Sequence, residues 1–317
     1  MEKKIVLRNA ILLSLLVGAT AVYSPVVLAA EEVAVGEESM EFAMEEYVVT
    51  ASRTQTAKVD TPANVSTIDA AKIESRRYQD VAEALKDVPG VSVMDSGNDA
   101  FEKVVTINGD SRVLIMVDGR RLEIAAGTST GRASFDMNLL PEVNAIEKIE
   151  IVKGSGGALY GSDAVGGVVN IITKKASKSY GKASMAFGSN QSRDAKAIYS
   201  IKDGKTGVYL SAGKAKQGYA KYKDVSDKAT KRWPRTSNFD SDKVSLKIAQ
   251  EMNDSANIEV GYDYSQYDGF SSGSLFNTYG NSKNKKRTNN IYTKVNWTLN
   301  EDNDGYLQIY HNEFKYT

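Results

Sequence analysis

From about Tyr180 onward, the chain repeats segments of about ten residues in which apolar and polar side chains alternate. The clearest segment places Ile258, Val260, Tyr262 and Tyr264 at every second position, with polar or small residues between them. Because successive side chains of a strand point to opposite faces, such a segment has one apolar and one polar face. This period and length are typical of a tilted strand that crosses a membrane with its apolar face outward.

Seven such strands are predicted, near 181–188, 195–202, 207–216, 242–251, 256–267, 289–299 and 305–316. The links after the second, fourth and sixth strands are short. Those after the third and fifth strands are polar and about 25 and 20 residues long. Such an alternation is expected when one end of a membrane sheet faces the periplasm. The link after the first strand is also short and does not fit. A soluble β-sandwich is the weaker alternative, because it would not require alternating link lengths.

The first 29 residues have the three parts of a secretory signal. Basic residues precede an apolar core at Ala10–Val22, and Val27-Leu28-Ala29 supplies small residues for cleavage near Ala29. The apolar core is too short to span a bilayer comfortably, which favours a cleaved signal over a membrane anchor. We therefore expect export.

Composition excludes several kinds of chemistry. The chain has no cysteine, which excludes disulfides, thiolate catalysis and cysteine-based metal sites. Its formal net charge is zero, so it has no bulk attraction for nucleic acid. The one histidine, His311, lies near the end of a predicted strand, where a Ser-His-Asp triad is not expected. We predict no enzyme activity, no cofactor and no metal site.

Residues 30–54 are predicted to be a flexible acidic tether, since they are rich in glutamate and poor in aromatic residues up to Glu46. The tether ends in a segment rich in strand-forming residues: Glu46, Tyr47, Val48, Val49, Thr50 and Ala51. A strand-forming segment on a tether is suited to join the sheet edge of another protein. The alternative is a first strand of the following domain.

Residues 55–176 are predicted to be a compact α+β domain. The expected strands are 64–68, 104–107, 113–117, 149–153 and 168–173, and the expected helices are 70–76 and 80–86. Asp118-Gly119 is predicted to be a hairpin turn. The glycine-rich run 153–167 allows special turns and close backbone approach.

Four stretches together resemble TonB-dependent outer-membrane receptors: Glu46–Arg53 is similar to the TonB box, Asp80–Val91 to the early helix and strand of the plug, Val113–Arg121 to its central hairpin, and Ile146–Lys174 to its end. The set most resembles the branch with catecholate-siderophore and colicin I receptors. The resemblance implies an α+β plug domain at 55–176. It also implies that 180–317 holds the first seven or so antiparallel strands of a transmembrane β-barrel, which has twenty-two strands in complete members.

A barrel of twenty-two strands would need on the order of 440 residues at the strand and link lengths of this chain. Seven strands cannot close around a plug, and their open edges would expose unpaired backbone to hydrocarbon. We therefore expect the sequence to be a fragment or a truncated reading frame.

The resemblance implies location in the outer membrane and TonB-dependent import of a scarce ligand. A ferric siderophore is expected first, with haem or cobalamin as alternatives; the absence of histidine from the plug weighs against haem. A product that binds TonB or ligand without transport is the alternative function. The implied partners are the periplasmic domain of TonB, the iron chelate, outer-membrane lipid, and colicins or phage.

Ligand contacts are expected on two outward-facing plug loops, near 95–102 and 123–136. The candidate residues are Asn98, Phe101, Thr128, Arg132 and Phe135. A cationic, partly aromatic rim would suit an anionic ferric catecholate through charge and ring contacts. Ordinary solvated loops are the alternative.

Overall fold

The computed structural model describes residues 47–48, 56–57, 64–96, 102–122, 135–154, 160–218, 221–223, 230–232, 238–271, 282–300 and 303–317. Within these ranges, no helix is long and apolar enough to cross a membrane.

The first part of the chain forms strands β1 (Tyr47–Val48), β2 (Thr56–Ala57), β3 (Asn64–Asp69), β4 (Val91–Ser96), β5 (Glu102–Ile107), β6 (Val113–Val117), β7 (Arg120–Arg121), β8 (Ile146–Lys153) and β9 (Gly167–Thr173). Five of them make one sheet in the order β3-β8-β9-β6-β7. Strand β9 pairs antiparallel with β8 and parallel with β6, so the sheet is mixed. The strands predicted at 64–68, 104–107, 113–117, 149–153 and 168–173 are confirmed.

Two short helices, α1 (Ala70–Arg76) and α2 (Val81–Lys86), lie between β3 and β4. Each begins after an aspartate whose side chain accepts a hydrogen bond from a backbone N–H of the first turn: Asp69 from Lys72 at 2.7 Å and Asp80 from Glu83 at 2.8 Å. Such caps satisfy backbone donors that have no partner within the helix. The predicted second helix started at Asp80, which is its cap. Two 3-10 helices follow later, at Met137–Leu139 and Val143–Ala145.

The core of this α+β domain lies between its sheet and its helices. Ile68, Leu85, Ile107, Ile149 and Ile171 are all fully buried there. Alternate residues of β6 divide between this core and a second apolar cluster on the other face of the sheet. A strand with both faces covered explains why the sequence of β6 is apolar throughout rather than alternating.

The second part of the chain forms β10 (Tyr180–Gly188), β11 (Ser192–Asp203), β12 (Thr206–Gln217), β13 (Lys221–Lys223), β14 (Thr230–Arg232), β15 (Phe239–Asn253), β16 (Ala256–Ser271), β17 (Ser282–Asn300) and β18 (Asn303–Tyr316). Seven of these strands form one antiparallel sheet in the order β10-β11-β12-β15-β16-β17-β18, which we call the wall. All seven predicted strands are therefore present. Strands β13 and β14 form a small hairpin of their own within the link after β12.

The wall has a long-link end and a short-turn end. The long-link end carries 189–191, 218–238 and 272–281, and the short-turn end carries 204–205, 254–255 and 301–302. The link after the fifth predicted strand is shorter than expected, because β16 and β17 extend beyond the residues that the alternating pattern predicted. In outer-membrane sheets the short turns face the periplasm, so the long-link end is the outer end.

Polarity in the wall is the reverse of that in a soluble sheet. On β16 the buried positions are Glu259, Gly261, Asp263, Ser265 and Tyr267, which face the α+β domain. The alternate positions face away, and Val260 is 42% exposed. Large apolar side chains are also exposed at Phe187, Leu210, Ile291 and Ile309 on other strands. The predicted placement, apolar outward and polar inward, is confirmed.

The outward face gives a direct prediction for Val260→Arg. We expect this change in a lipid bilayer to lower the free energy of unfolding by about 2–4 kcal/mol, because it places a cation in the middle of the apolar segment of β16. Gln266→Arg, on the same face of the same strand but near the outer end, should cost at most about 1 kcal/mol. Urea unfolding in lipid vesicles measures both. Equal costs for the two variants would contradict the assigned apolar face.

Candidate functional site: ion pairs between the α+β domain and the wall

The turn between β6 and β7 carries the most heavily paired charges at the wall. Asp118 and Gly119 both have positive φ, 50° and 76°, as a two-residue type I′ hairpin turn requires. Val117 pairs directly with Arg120 across it, which confirms the predicted turn. The turn presents Asp118 and Arg120 to the inner face of the wall.

Asp118 links the hairpin both to its own sheet and to the wall. Its carboxylate accepts hydrogen bonds from the backbone N–H and the hydroxyl of Thr173, each at 2.8 Å, and from Lys247 Nζ of β15 at 2.9 Å. Burial by itself would raise the pKa of this carboxyl, but the charges of Lys247 and Arg120 outweigh it and lower the pKa to about 2. Asp118 is therefore ionised at any physiological pH.

Arg120 is a fully buried cation. Its Nη2 donates to Asp263 Oδ2 of β16 at 2.8 Å, and its Nε donates to the carbonyl oxygen of Val117 at 3.2 Å. The guanidinium also lies over the ring of Tyr292 on β17, 3.7 Å from the ring centre. Burial opposes the charge, yet the carboxylates of Asp263 and Asp118 keep the pKa of Arg120 above its usual value.

The same network continues toward the short-turn end. The hydroxyl of Tyr292 donates to Glu259 at 2.8 Å, and Glu259 pairs with Lys175 at 3.0 Å. Lys175 lies in the connection between β9 and β10. One set of polar contacts, buried except at Lys175, thus joins the hairpin, three wall strands and the connection between the two parts of the chain.

Two further ion pairs join the α+β domain to the wall. Asp136, just before the first 3-10 helix, pairs with Lys286 of β17 at 3.0 Å, and both side chains are almost fully buried. Glu142 pairs with Lys196 of β11 at 3.2 Å. Between these contacts lies a cavity of about 250 Å³ lined mainly by polar side chains, including Asp80, Lys103 and Lys243. The interface therefore combines ion pairs with apolar contacts, because Tyr267 of β16 belongs to the core cluster of the α+β domain and Ala145 packs with Ile198 and Tyr209 of the wall.

The segment expected to contact TonB is described only in part. Tyr47 and Val48 form β1, which pairs antiparallel with β2 in the register Tyr47–Ala57 and Val48–Thr56. The other residues of the predicted contact lie outside the described ranges: Glu46, Val49, Thr50 and Ala51. Their role stays a prediction.

Of the five predicted ligand contacts, Asn98, Phe101, Thr128 and Arg132 lie outside the described residues. Phe135 requires a correction, because its side chain is only 5% exposed and packs in the core of the α+β domain instead of on an open rim. An aromatic residue beside a polar loop is buried here because the 3-10 helix that follows returns the chain to the core.

The described ends of the two predicted loops lie toward the outer end of the wall. Lys103 follows the first loop and donates its backbone N–H to Asp136, the last residue of the second loop, at 3.3 Å. Asp136 in turn contacts Lys286, close to the outer end of β17. Both loops therefore end at the outer half of the wall.

Sequence reasoning did not identify the ion-paired residues as a site. The alternating pattern placed Lys247, Glu259 and Asp263 on the polar face of their strands, but a polar face is compatible with water as well as with a charged partner. The one sequence feature that pointed to this site was the predicted hairpin turn Asp118-Gly119, which Arg120 follows directly. The partners became visible only when the two parts of the chain were placed together.

Comparison with known proteins agrees with this architecture. Residues 57–168 match the TonB-dependent receptor plug domain. This stretch is therefore a plug domain of the TonB-dependent receptor type. The α+β domain is thus the plug, and the wall corresponds to barrel strands in solved structures that share the fold.

Two curated relatives show how far the similarity extends. The chain is 41% identical over 132 residues to the iron-regulated outer membrane virulence protein of Vibrio cholerae, covering 41% of this chain and 20% of that protein. It is 38% identical over 151 residues to the vitamin B12 transporter BtuB of Vibrio vulnificus, covering 47% and 24%. The matches thus span about a fifth to a quarter of these relatives.

Solved structures share the fold at low sequence identity. A ferric enterobactin receptor mutant of Pseudomonas aeruginosa in complex with enterobactin aligns with TM-score 0.64 and 18% identity, covering 80% of this chain and 41% of that one. The siderophore receptor PirA of Acinetobacter baumannii aligns with TM-score 0.62 and 22% identity, covering 79% and 40%. These likenesses establish the plug-and-wall fold.

Removing one partner of the buried Arg120–Asp263 pair should weaken the attachment of the plug to the wall. We expect Arg120→Met and Asp263→Asn each to cost about 3–5 kcal/mol, since each leaves a buried charge without its nearest partner, and the double variant to cost less than the sum. Urea unfolding of the four members of the cycle measures this. Arg76→Met, at an exposed pair, is the control and should cost less than about 1 kcal/mol. Additive costs would contradict the coupling.

The lowered pKa of Asp118 predicts a dependence of stability on pH. The folded-state pKa of about 2 lies below the ordinary value of 3.8, so the stabilisation is present above pH 4 and is lost as the pH falls from about 4 to 2. Asp118→Asn should be less stable than the parent at pH 6, and the difference should shrink toward pH 2. Urea unfolding at a series of pH values measures it. Asp304→Asn, at an exposed aspartate, should leave the profile unchanged.

Proposed function

We propose that this chain serves in TonB-dependent import of a ferric siderophore across the outer membrane. The observation that carries the proposal is the plug hairpin, whose Asp118 and Arg120 are buried in ion pairs with the wall. A domain fixed in this way closes the space beside the wall. Passage of a large solute then requires work on the plug.

The energetic argument concerns the separation of buried charges. Breaking a buried pair by removing one partner typically costs about 3–5 kcal/mol, several times the thermal energy. At least three pairs join plug and wall here, at Asp118, Arg120 and Asp136. Their spontaneous simultaneous separation would be rare, which supports a transporter that uses an external source of energy.

The proposed point of energy input is the segment Glu46–Ala51. Its strand-forming residues can supply main-chain hydrogen bonds and alternating side-chain contacts to a strand of the TonB periplasmic domain. Tyr47 and Val48 already adopt strand conformation, which supports this mode of binding. The segment precedes β3, an edge strand of the plug sheet, so force on it would reach the plug directly.

Iron chelates are the preferred ligand because one relative at 41% identity is named an iron-regulated outer membrane protein. Cobalamin is the second candidate, since relatives at 38% and 35% identity are named vitamin B12 transporters. Haem has less support, because the only histidine, His311, lies in β18 and not in the plug. We propose that Asn98, Phe101, Thr128 and Arg132 contribute ligand contacts, whereas the buried ring of Phe135 is withdrawn from that set.

Val49→Pro tests the coupling segment in a receptor that carries this chain. Proline removes a main-chain donor and disfavours strand pairing, so uptake should fall to background while ligand binding at the cell surface stays nearly unchanged. Val49→Thr is the matched control, because threonine keeps the N–H and the strand preference. Cells lacking their own receptors are supplied with labelled ferric catecholate, cobalamin or haem, and bound and imported label are counted separately.

The identity of the imported ligand and the effect of the Val49 substitutions are measured independently in this experiment. Import of ferric catecholate by the parent and the threonine variant, but not by the proline variant, is the expected result. Import of cobalamin alone would show that cobalamin, and not a ferric siderophore, is the ligand, and would leave the proposed TonB-dependent mechanism unchanged. Normal uptake by Val49→Pro would refute the role of Glu46–Ala51.

A further inference from the structure

Gly261 lies in the middle of β16, where a glycine is unfavourable. It is buried on the inner face of the wall, and the register places it directly opposite Tyr292 of β17. Glycine inside a strand lowers stability, because it loses more conformational freedom on folding than other residues and packs no side chain. Its φ is not positive, so the backbone conformation does not require glycine here. The close approach of another group is the remaining reason.

The ring of Tyr292 fills the space that a side chain at position 261 would occupy. A Cβ atom added at Gly261 would overlap Cε1, Cζ and the hydroxyl oxygen of this ring. The ring is held where it is, because its hydroxyl donates to Glu259 at 2.8 Å and the Arg120 guanidinium lies 3.7 Å from its centre. Tyr292 is also fully packed, with 2% of its surface exposed. A residue larger than glycine would therefore displace a ring that has no free space to enter.

A second glycine on the inner face has the same relation to a residue of the plug. Gly213 of β12 is buried, and a Cβ atom added there would overlap the carboxyl group of Glu142. The register places Gly213 between Lys196 of β11 and Lys243 of β15. Glu142 thus lies over a glycine that has a lysine on the strand to each side, and it pairs with Lys196 at 3.2 Å.

We propose that Gly213 and Gly261 are positioning residues that set where the plug contacts the wall. Each leaves the volume of one side chain empty on the inner face of its strand. At Gly261 this volume lets the Tyr292 ring lie close to β16, so that Arg120 covers the ring and still reaches Asp263 Oδ2 at 2.8 Å. A ring displaced toward the plug would enter the volume of the guanidinium and separate it from that carboxylate.

At Gly213 the empty volume is filled by the plug itself. The Glu142 carboxylate occupies it and thereby comes close enough to the wall to pair with Lys196. A methyl group at either glycine would leave every charge of the interface present and remove only the space that the charged groups need. The two glycines therefore make the position of the plug depend on shape as well as on charge, through residues that carry no functional group.

The test uses two double-variant cycles in the full 317-residue chain, with urea unfolding in lipid vesicles as the measurement. One cycle combines Gly261→Ala with Tyr292→Ala, and the other combines Gly213→Ala with Glu142→Ala. In each cycle the second substitution removes the group that the added methyl would meet. Gly181→Ala in β10 is the matched control, because a Cβ atom added there makes only ordinary contacts, the nearest at 3.7 Å.

We expect Gly261→Ala and Gly213→Ala each to raise the equilibrium constant of unfolding about tenfold or more, as overpacking of a buried site does. In the background without the ring or the carboxylate, the same substitution should instead lower this constant about two- to fivefold, because alanine loses less freedom on folding than glycine. Gly181→Ala should lower it by the same factor. An equal loss of stability in both backgrounds would overturn the proposal, since the wall alone would then require glycine.

Hydrogen exchange shows which part of the chain each substitution affects. Gly261→Ala should increase the exchange of backbone amides in the plug hairpin, residues 113–122, more than in β10 and β11. An increase confined to wall strands, with the hairpin unchanged, would contradict a positioning role. If a glycine variant does not fold, its double variant should still fold, and failure of both would also overturn the proposal. None of these outcomes depends on TonB, on a ligand or on transport, so they are independent of the proposed function.

Discussion

The position of the plug against the wall depends on ion pairs between buried charges of the two. A buried unpaired ion is costly, so these charges of the wall need partners of opposite sign on the plug beside the apolar contacts made by Tyr267 and Ile198. The plug supplies Asp118, Arg120, Asp136 and Glu142 at the places where the wall presents charges of opposite sign. The pairing fixes where the plug sits along the strands.

The same pairing has a functional consequence. A buried ion left without its partner is costly, whereas two charges that leave the interface together can be hydrated again by water. A plug held by a few charged contacts can remain closed against thermal motion and still be displaced as a unit by an applied force. The buried network around Asp118 and Arg120 is therefore compatible with both a tight seal and a reversible opening.

The two faces of the wall contact different surroundings, and their side-chain chemistry changes along the strands. The inner face contacts the plug partly through charged side chains, the middle of the outward face is apolar, and the outward face near the long-link end carries charged residues such as Lys214, Asp242 and Lys315. An alternation with a period of two residues specifies both faces of the same strand, because successive side chains point to opposite faces. On β16, for example, Glu259 and Asp263 face the plug, whereas Val260 and Tyr262 face outward.

The sequence by itself determined the elements. The helix at Ala70–Arg76, the strand at Val113–Val117, the Asp118-Gly119 turn and the seven wall strands all follow from local rules of capping, periodicity and turn geometry. These rules act within a few residues, so one chain contains the information. The tertiary structure alone decided the partners: Arg120 and Asp263 are 143 positions apart, and no local pattern links them. It also decided the burial of Phe135, because whether a ring beside a polar loop faces solvent or core depends on how the following turn packs.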